Sequence, residues 1–331
     1  MKETYFSINE DGLSIRCKLY GTGAREYSRV VIFGHGFGGH KDNRAAEKFA
    51  GKLLSKVKDI AVLIYDWPCH GEDAGKKLRL EMCNHYLTLV IRYAKEKLGA
   101  TELYGNATSF GGYLFLKYIY ENGDPFAALT LRCPAIKMYE VINATILSEE
   151  DKHLLGKGKP VLAGFDRLVK IDSDFLNDLK ENDISEYNYK DKADSIMIIQ
   201  GTKDEIVPPQ DVFDFADRNG ILCVAVENAD HRFTEVTKMD EVIKNMIDFY
   251  ELFMSELMGG WVPKRCFAPL CTFGSKVTGT LMSKVTGTRR PKVTGTRRLC
   301  NEESSRKNNR NLLPGADSPD VVCRLRLERH G

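Results

Sequence analysis

No stretch of the 331-residue chain approaches 18 uninterrupted apolar residues, so no segment has the makings of a membrane-spanning helix. The opening residues, MKETYFSINEDG, carry charge and lack an apolar run of signal-peptide length, and a cytoplasmic protein is the expectation. Also missing is any C-x-x-C pair with zinc-like spacing. The nine cysteines are scattered and odd in number, which argues for reduced thiols rather than a metal site or a disulfide framework. The phosphate-cradling pattern G-x-x-x-x-G-K-[ST] does not occur either. Nor does one sign of charge dominate, since 48 Lys+Arg against 46 Asp+Glu leave a net +2. That balance hides a split. Residues 258–331 hold 15 basic against 5 acidic residues, leaving 33 against 41 upstream, so a body at −8 precedes a tail at +10.

What is present is enough apolar material, 43% of residues, to bury one large core. Residues 5–20 alternate and break at Asn9-Glu10-Asp11-Gly12, which predicts a β-hairpin. Short apolar runs follow at 30–33, 60–65, 102–105, 127–131, 195–201 and 221–226, of the kind that forms strands buried on both faces. Helical patterns lie between or after them at 43–57, 78–98, 109–121, 209–218 and 238–257. The alternation predicts an α/β fold, a mostly parallel central sheet with helices on both faces. About sixty residues separate the sixth strand from the seventh, far more than a crossover needs. The core is therefore expected over 1–133 and 194–257, with a small cap inserted at 134–193.

From 258 the character changes. KVTGTLMS, KVTGTRRP and KVTGTRRL are tandem copies starting at Lys276, Lys284 and Lys292, and eight residues are too few to bury a solenoid face. Residues 258–331 read as a disordered basic extension without catalytic role. Nucleic acid could bind only there, and the tail lacks the interleaved aromatics of a recognised module.

The chemistry sits at four loops. The stretch NATSFGG follows the buried strand ELYG and opens an apolar helix, the setting of a nucleophile elbow centred on Ser109. The strict motif would have glycine two residues before the serine, where this chain has Ala107; the turn requires small residues on both sides, and Ala107 and Gly111 are small. Upstream, the strand VVIF runs into GHGFGGH, a loop suited to stabilising an oxyanion through backbone N–H groups; the candidate donors are Phe37 and Phe110. Asp204 follows the strand SIMIIQG and His231 follows the strand ILCVAV. In a parallel sheet such loops leave one edge, so Ser109, Asp204 and His231 can converge, in the chain order Ser, Asp, His. Glu205 and Asp230 are the rivals of Asp204, while His35 and His70 read as residues that shape the site.

With these residues the chain, from about 5 to 257, resembles serine hydrolases of the α/β-hydrolase superfamily, and among them small bacterial esterases of the cinnamoyl and feruloyl type. HGFGGH, DWPCHGE, ATSFGG, GTKDEIVP and NADHRF carry the resemblance; Ala107 and Thr108 depart from it, standing where glycine and often histidine occur. It implies ester hydrolysis through an acyl-enzyme, on a small-molecule ester, with no metal or organic cofactor. Cap aromatics such as Tyr139, Tyr187 and Tyr189 would select the substrate. The alternatives are a serine peptidase of the prolyl-oligopeptidase type, a thioesterase or lipase, and an inactive hydrolase fold used as a binding module.

Overall fold

The computed structural model describes residues 1–73, 77–165 and 167–256; the tail with its three repeats lies outside them. An N-terminal hairpin of β1 (Lys2–Glu10) and β2 (Leu13–Gly21) turns where Asp11 and Gly12 take left-handed backbone angles. There follow β3 (Arg29–Gly34), α1 (Arg44–Lys56), β4 (Ile60–Tyr65), α2 (Leu80–Glu96), β5 (Glu102–Thr108), α3 (Phe110–Asn122) and β6 (Ala128–Arg132). The long insert holds α4 (Met138–Val141), which continues into a π turn over Ile142–Ile146, α5 (Glu149–Gly156), β7 (Val161–Ala163), β8 (Val169–Ile171) and α6 (Ser173–Glu181). The core resumes with β9 (Ile196–Gly201), α7 (Pro209–Asn219), β10 (Leu222–Val226) and α8 (Val236–Glu256).

Eight strands form one sheet in the order β1-β2-β4-β3-β5-β6-β9-β10, antiparallel only in the β1–β2 and β2–β4 pairings. The apolar runs bury both faces because a strand sends successive side chains to opposite sides. Along β4, Ala61, Leu63 and Tyr65 enter one core, while Ile60, Val62 and Ile64 enter the other, beside α1 and α8. Helices begin where the sequence supplies caps: the Asn43 side chain accepts from the amides of Ala45 and Ala46 at the start of α1, and Asp172 accepts from Phe175 at α6.

The insert is ordered and pinned to the body. Arg79, just before α2, grips Asp172 with two hydrogen bonds of 2.8 and 2.9 Å, and Tyr113 on α3 donates to the Asn182 carbonyl. Its apolar residues Phe175, Leu179, Val169 and Ile171 are buried in the core beside α2 and α3, so the polar composition of 134–193 belongs to its outer surface.

Candidate active site

Ser109 occupies the sharp turn between β5 and α3, with φ 53° and ψ −118°. A non-glycine residue at positive φ is strained, and the surroundings hold it there. The Ser109 amide donates to the Arg132 carbonyl on β6 at 3.0 Å, and its carbonyl accepts from Tyr113 and Ala135. Small neighbours are a steric requirement. A Cβ on Gly111 would sit 2.5 Å from the Gly34 carbonyl oxygen, and one on Gly36 would sit 3.3 Å from Ser109 Cβ. Ala107 is fully buried and pairs with Gly34 and Leu131 across the sheet, so one methyl is accommodated where the strict elbow has none.

The glycine-rich loop after β3 lies against this turn. Phe37 and Phe110 meet edge to face at 5.7 Å, and the Phe110 N–H belongs to the first turn of α3, which has no intrahelical acceptor. Two buried histidines back the loop. His35 accepts from the Trp67 amide at Nε2 and has Nδ1 2.8 Å from the Gly36 carbonyl, a neutral Nδ1–H arrangement. The His70 ring stacks on Phe110 and meets Phe37 edge-on, with Nδ1 donating to the Pro68 carbonyl. Burial holds the pKa of His35 well below the usual imidazole value, with the charge of His70 acting in the same direction, and lowers that of His70 to about 4 against a weaker opposing hydrogen bond.

These depressed values carry a pH consequence. The unfolded chain takes up protons near pH 6.5 that the folded protein refuses, so stability is fully present above that pH and is lost as pH falls from 6.5 toward 4. Each histidine contributes at most about 1.4 kcal/mol per pH unit. In urea melts at pH 7, 6 and 5, His70→Phe should lose less stability than the parent across that interval; an unchanged slope would refute the contribution.

Asp204 and His231 stand after β9 and β10, and Asp204 Oδ2 lies 2.8 Å from His231 Nδ1. Oδ2 also accepts from Gln200 Nε2 at 3.0 Å, and Oδ1 accepts from the amides of Ile206 and Val207. Burial works to raise the Asp204 carboxyl, but the hydrogen bond and charge of His231, the Val207 amide and the Cys133 thiol outweigh it and keep the carboxyl below the usual carboxylate value. The rivals are otherwise engaged: Asp230 accepts from the Thr234 amide and hydroxyl, and Glu205 from the His231 backbone amide. With Nδ1 donating to Asp204, Nε2 is the basic nitrogen of His231. Ser109 shares this sheet edge, and its hydroxyl makes no hydrogen bond among the described residues.

Gln200 was not anticipated, although a lone polar residue at the end of the apolar strand IMIIQG is a visible signal. Cys133 is the other addition. Its Sγ, a carboxylate oxygen of Asp204 and a ring nitrogen of His231 all lie within 4.8 Å of one another, the one group of metal-type donors found among the described residues. Burial keeps the thiol protonated, and Asp204 is already committed to His231.

The insert reaches this edge. Phe175 meets Phe110 edge to face, and the Arg167 carbonyl lies so near the glycine-rich loop after β3 that a Cβ on Gly38 would meet it at 2.8 Å. Of the three tyrosines expected to face substrate, Tyr139 is partly buried against the core. Tyr187 stacks on Tyr120 at 3.9 Å, and Tyr189 is buried with its hydroxyl donating to the Leu116 carbonyl. The contacts of Tyr187 and Tyr189 fasten the insert to α3.

Two family models match the chain: "Serine aminopeptidase, S33" over residues 25–155 and "Prolyl oligopeptidase family" over residues 96–256. Among solved structures, Est1E from Butyrivibrio proteoclasticus with bound ferulic acid is similar at a TM-score of 0.62 and 18% identity, covering 76% of this chain and 99% of that one. A thermostable carboxyl esterase from Bacillus coagulans in complex with glycerol is similar at 0.55 and 15%, covering 77% and 99%. No curated protein sequence matches. The likeness to solved structures establishes the α/β-hydrolase fold of the chain, and the two family models, each matching less than half of it, both describe serine hydrolases. It is a hydrolase by class. Among the described residues no helix is long and apolar enough to cross a membrane.

Proposed function

We propose that the protein is a serine esterase that cleaves small or aromatic acyl esters through an acyl-enzyme. The observation that carries this reading is the 2.8 Å contact of Asp204 with His231 at the sheet edge that also bears the strained Ser109 turn. Ser109 Oγ attacks the ester carbonyl while His231 Nε2 takes its proton, and Asp204 holds the imidazole in the required tautomer and stabilises its cation. The amides of Phe37 and Phe110 receive the oxyanion, each worth about 3–4 kcal/mol in comparable sites. His231 then returns the proton to the leaving alcohol, and water, activated by the same imidazole, releases the acid. No step calls on a metal or an organic cofactor. Residues 134–193 act as the cap, with Tyr139 the remaining aromatic candidate for substrate contact. The aromatic acyl class draws support from the ferulic acid bound in the Est1E structure.

The prolyl-oligopeptidase match over 96–256 favours a second reading, a serine peptidase using the same residues. A fluorophosphonate probe and a substrate panel separate them: p-nitrophenyl acetate, butyrate and octanoate, methyl ferulate, and prolyl and alanyl p-nitroanilides. Covalent labelling with turnover of the esters, and little of the anilides, is expected. Faster cleavage of anilides would replace esterase by peptidase, and absence of labelling would overturn both.

A further inference from the structure

On the α1/α8 side of the sheet, behind the Ser109 turn, lies a cavity of about 10 Å³, roughly the space of a single water. Arg132, Asn106 and Thr108 line it from neighbouring positions of β6 and β5, Met239 and Met246 line it from α8, and the rest of the lining is apolar, Phe49 and Ile243 included. Arg132 is only 8% exposed and Asn106 only 1%. Among the described residues neither donor has a strong acceptor. The Arg132 guanidinium reaches the Met239 thioether at 3.6 Å and stands over the Phe233 ring, and the Asn106 amide reaches the Met246 thioether at 3.3 Å. Thioether sulfur is a weak acceptor, and a buried cation without a counter-charge is costly. The two acids whose fields reach Arg132 are engaged elsewhere, Asp204 with His231 and Asp230 with Thr234, and neither forms an ion pair with it.

We infer that this cavity binds a single monatomic anion, a halide such as chloride, held by the Arg132 guanidinium with the Asn106 amide and the Thr108 hydroxyl. Within a mostly apolar lining the polar groups are the Arg132 guanidinium, the Asn106 amide and the Thr108 hydroxyl, and among the described residues no carboxylate lines the cavity. The small volume favours a monatomic ion over phosphate or a carboxylate ligand. A water would satisfy a donor but leave the charge unneutralised. Burial also pulls the guanidinium pKa down from its usual value, the direction expected of a cation that lacks a counterion. Because the Arg132 carbonyl accepts from the Ser109 amide, an ion here would brace the strand end that supports the turn.

Bromide is the probe. Crystals of the full chain soaked in sodium bromide should show an anomalous peak beside the Arg132 guanidinium, and density without anomalous signal would mean water only and overturn the proposal. In solution at constant ionic strength, exchanging sodium gluconate for sodium chloride should raise Tm, by roughly 5–10 °C at a hundredfold excess over Kd. Equal Tm in the two salts would overturn it. Arg132→Met should abolish the chloride response, and if that variant does not fold, Asn106→Leu should shift the response to higher chloride. An unaltered response in a folded variant would also count against the site.

Discussion

Ser109→Ala is expected to abolish ester turnover, with kcat/KM falling by about 10⁴–10⁶-fold, and to eliminate fluorophosphonate labelling. The reason is the position rather than the residue type alone. The chain pays for an L-residue at φ 53° at this turn, and the hydrogen bonds from Tyr113 and Ala135 to its carbonyl, with that of its own amide to Arg132, use only the backbone. Alanine keeps every one of those bonds and the same backbone strain, so folding should be nearly unchanged. A melt that superimposes on the parent, together with lost turnover, separates loss of a nucleophile from loss of structure. Retained turnover in a purified Ser109→Ala sample would remove Ser109 from the mechanism.

Asp204→Asn should cost about 10³–10⁴-fold in kcat/KM, more than the removal of one ordinary hydrogen bond would explain. The two oxygens of Asp204 are not equivalent. Oδ1 accepts from the Ile206 and Val207 amides, and Oδ2 faces His231 and Gln200. An asparagine must keep its carbonyl oxygen toward the two amides, which turns its NH₂ toward the imidazole. His231 Nδ1 then becomes an acceptor, the proton moves to Nε2, and the nitrogen that should take the serine proton already carries one. Gln200 can follow by turning over, since its Oε1 has no partner and would accept from the new amide. The variant should therefore fold, with the loss falling on kcat. A fall below tenfold would mean that Asp204 does not control the tautomer.

Much of this was legible in the residues because burial on both faces leaves a simple trace. The runs at 60–65 and 195–201 became β4 and β9, and once a parallel sheet is inferred, Asp204 and His231 must emerge at the same edge however far apart they lie in sequence. The helix expected over 78–98 appears as Leu80–Glu96, starting two residues late beside Arg79, whose side chain is drawn to Asp172 of the insert. The insert itself was legible only as an interruption. Its strands Val161–Ala163 and Val169–Ile171 are three residues each, too short for alternation to register, and its π turn has no periodic signature. The direction in which an aromatic points is likewise invisible in one dimension. Tyr187 and Tyr189 look like substrate contacts in sequence and prove to be engaged with Tyr120 and the Leu116 carbonyl. Arg132 ends an apolar strand and gives no sign that its charge would be buried without an acid beside it.

The order of strands divides the machinery mechanically. Ser109 and the loop of Phe37 hang from β5 and β3, which have paired neighbours on both sides, whereas His231 hangs from β10, which among the described residues pairs with β9 alone. The loops of Asp204 and His231 are tied to each other, Thr202 donating to the Val226 carbonyl and Lys203 to that of Ala229. The two loops thus form one linked pair, that of His231 on β10 at the margin of the described sheet and that of Asp204 on β9 just inside it, while the Ser109 turn lies nearer the middle. Opening of the margin costs less than global unfolding. On the proposed mechanism, such an excursion would part His231 from a Ser109 turn that stays intact, and turnover would stop while the chain remains folded.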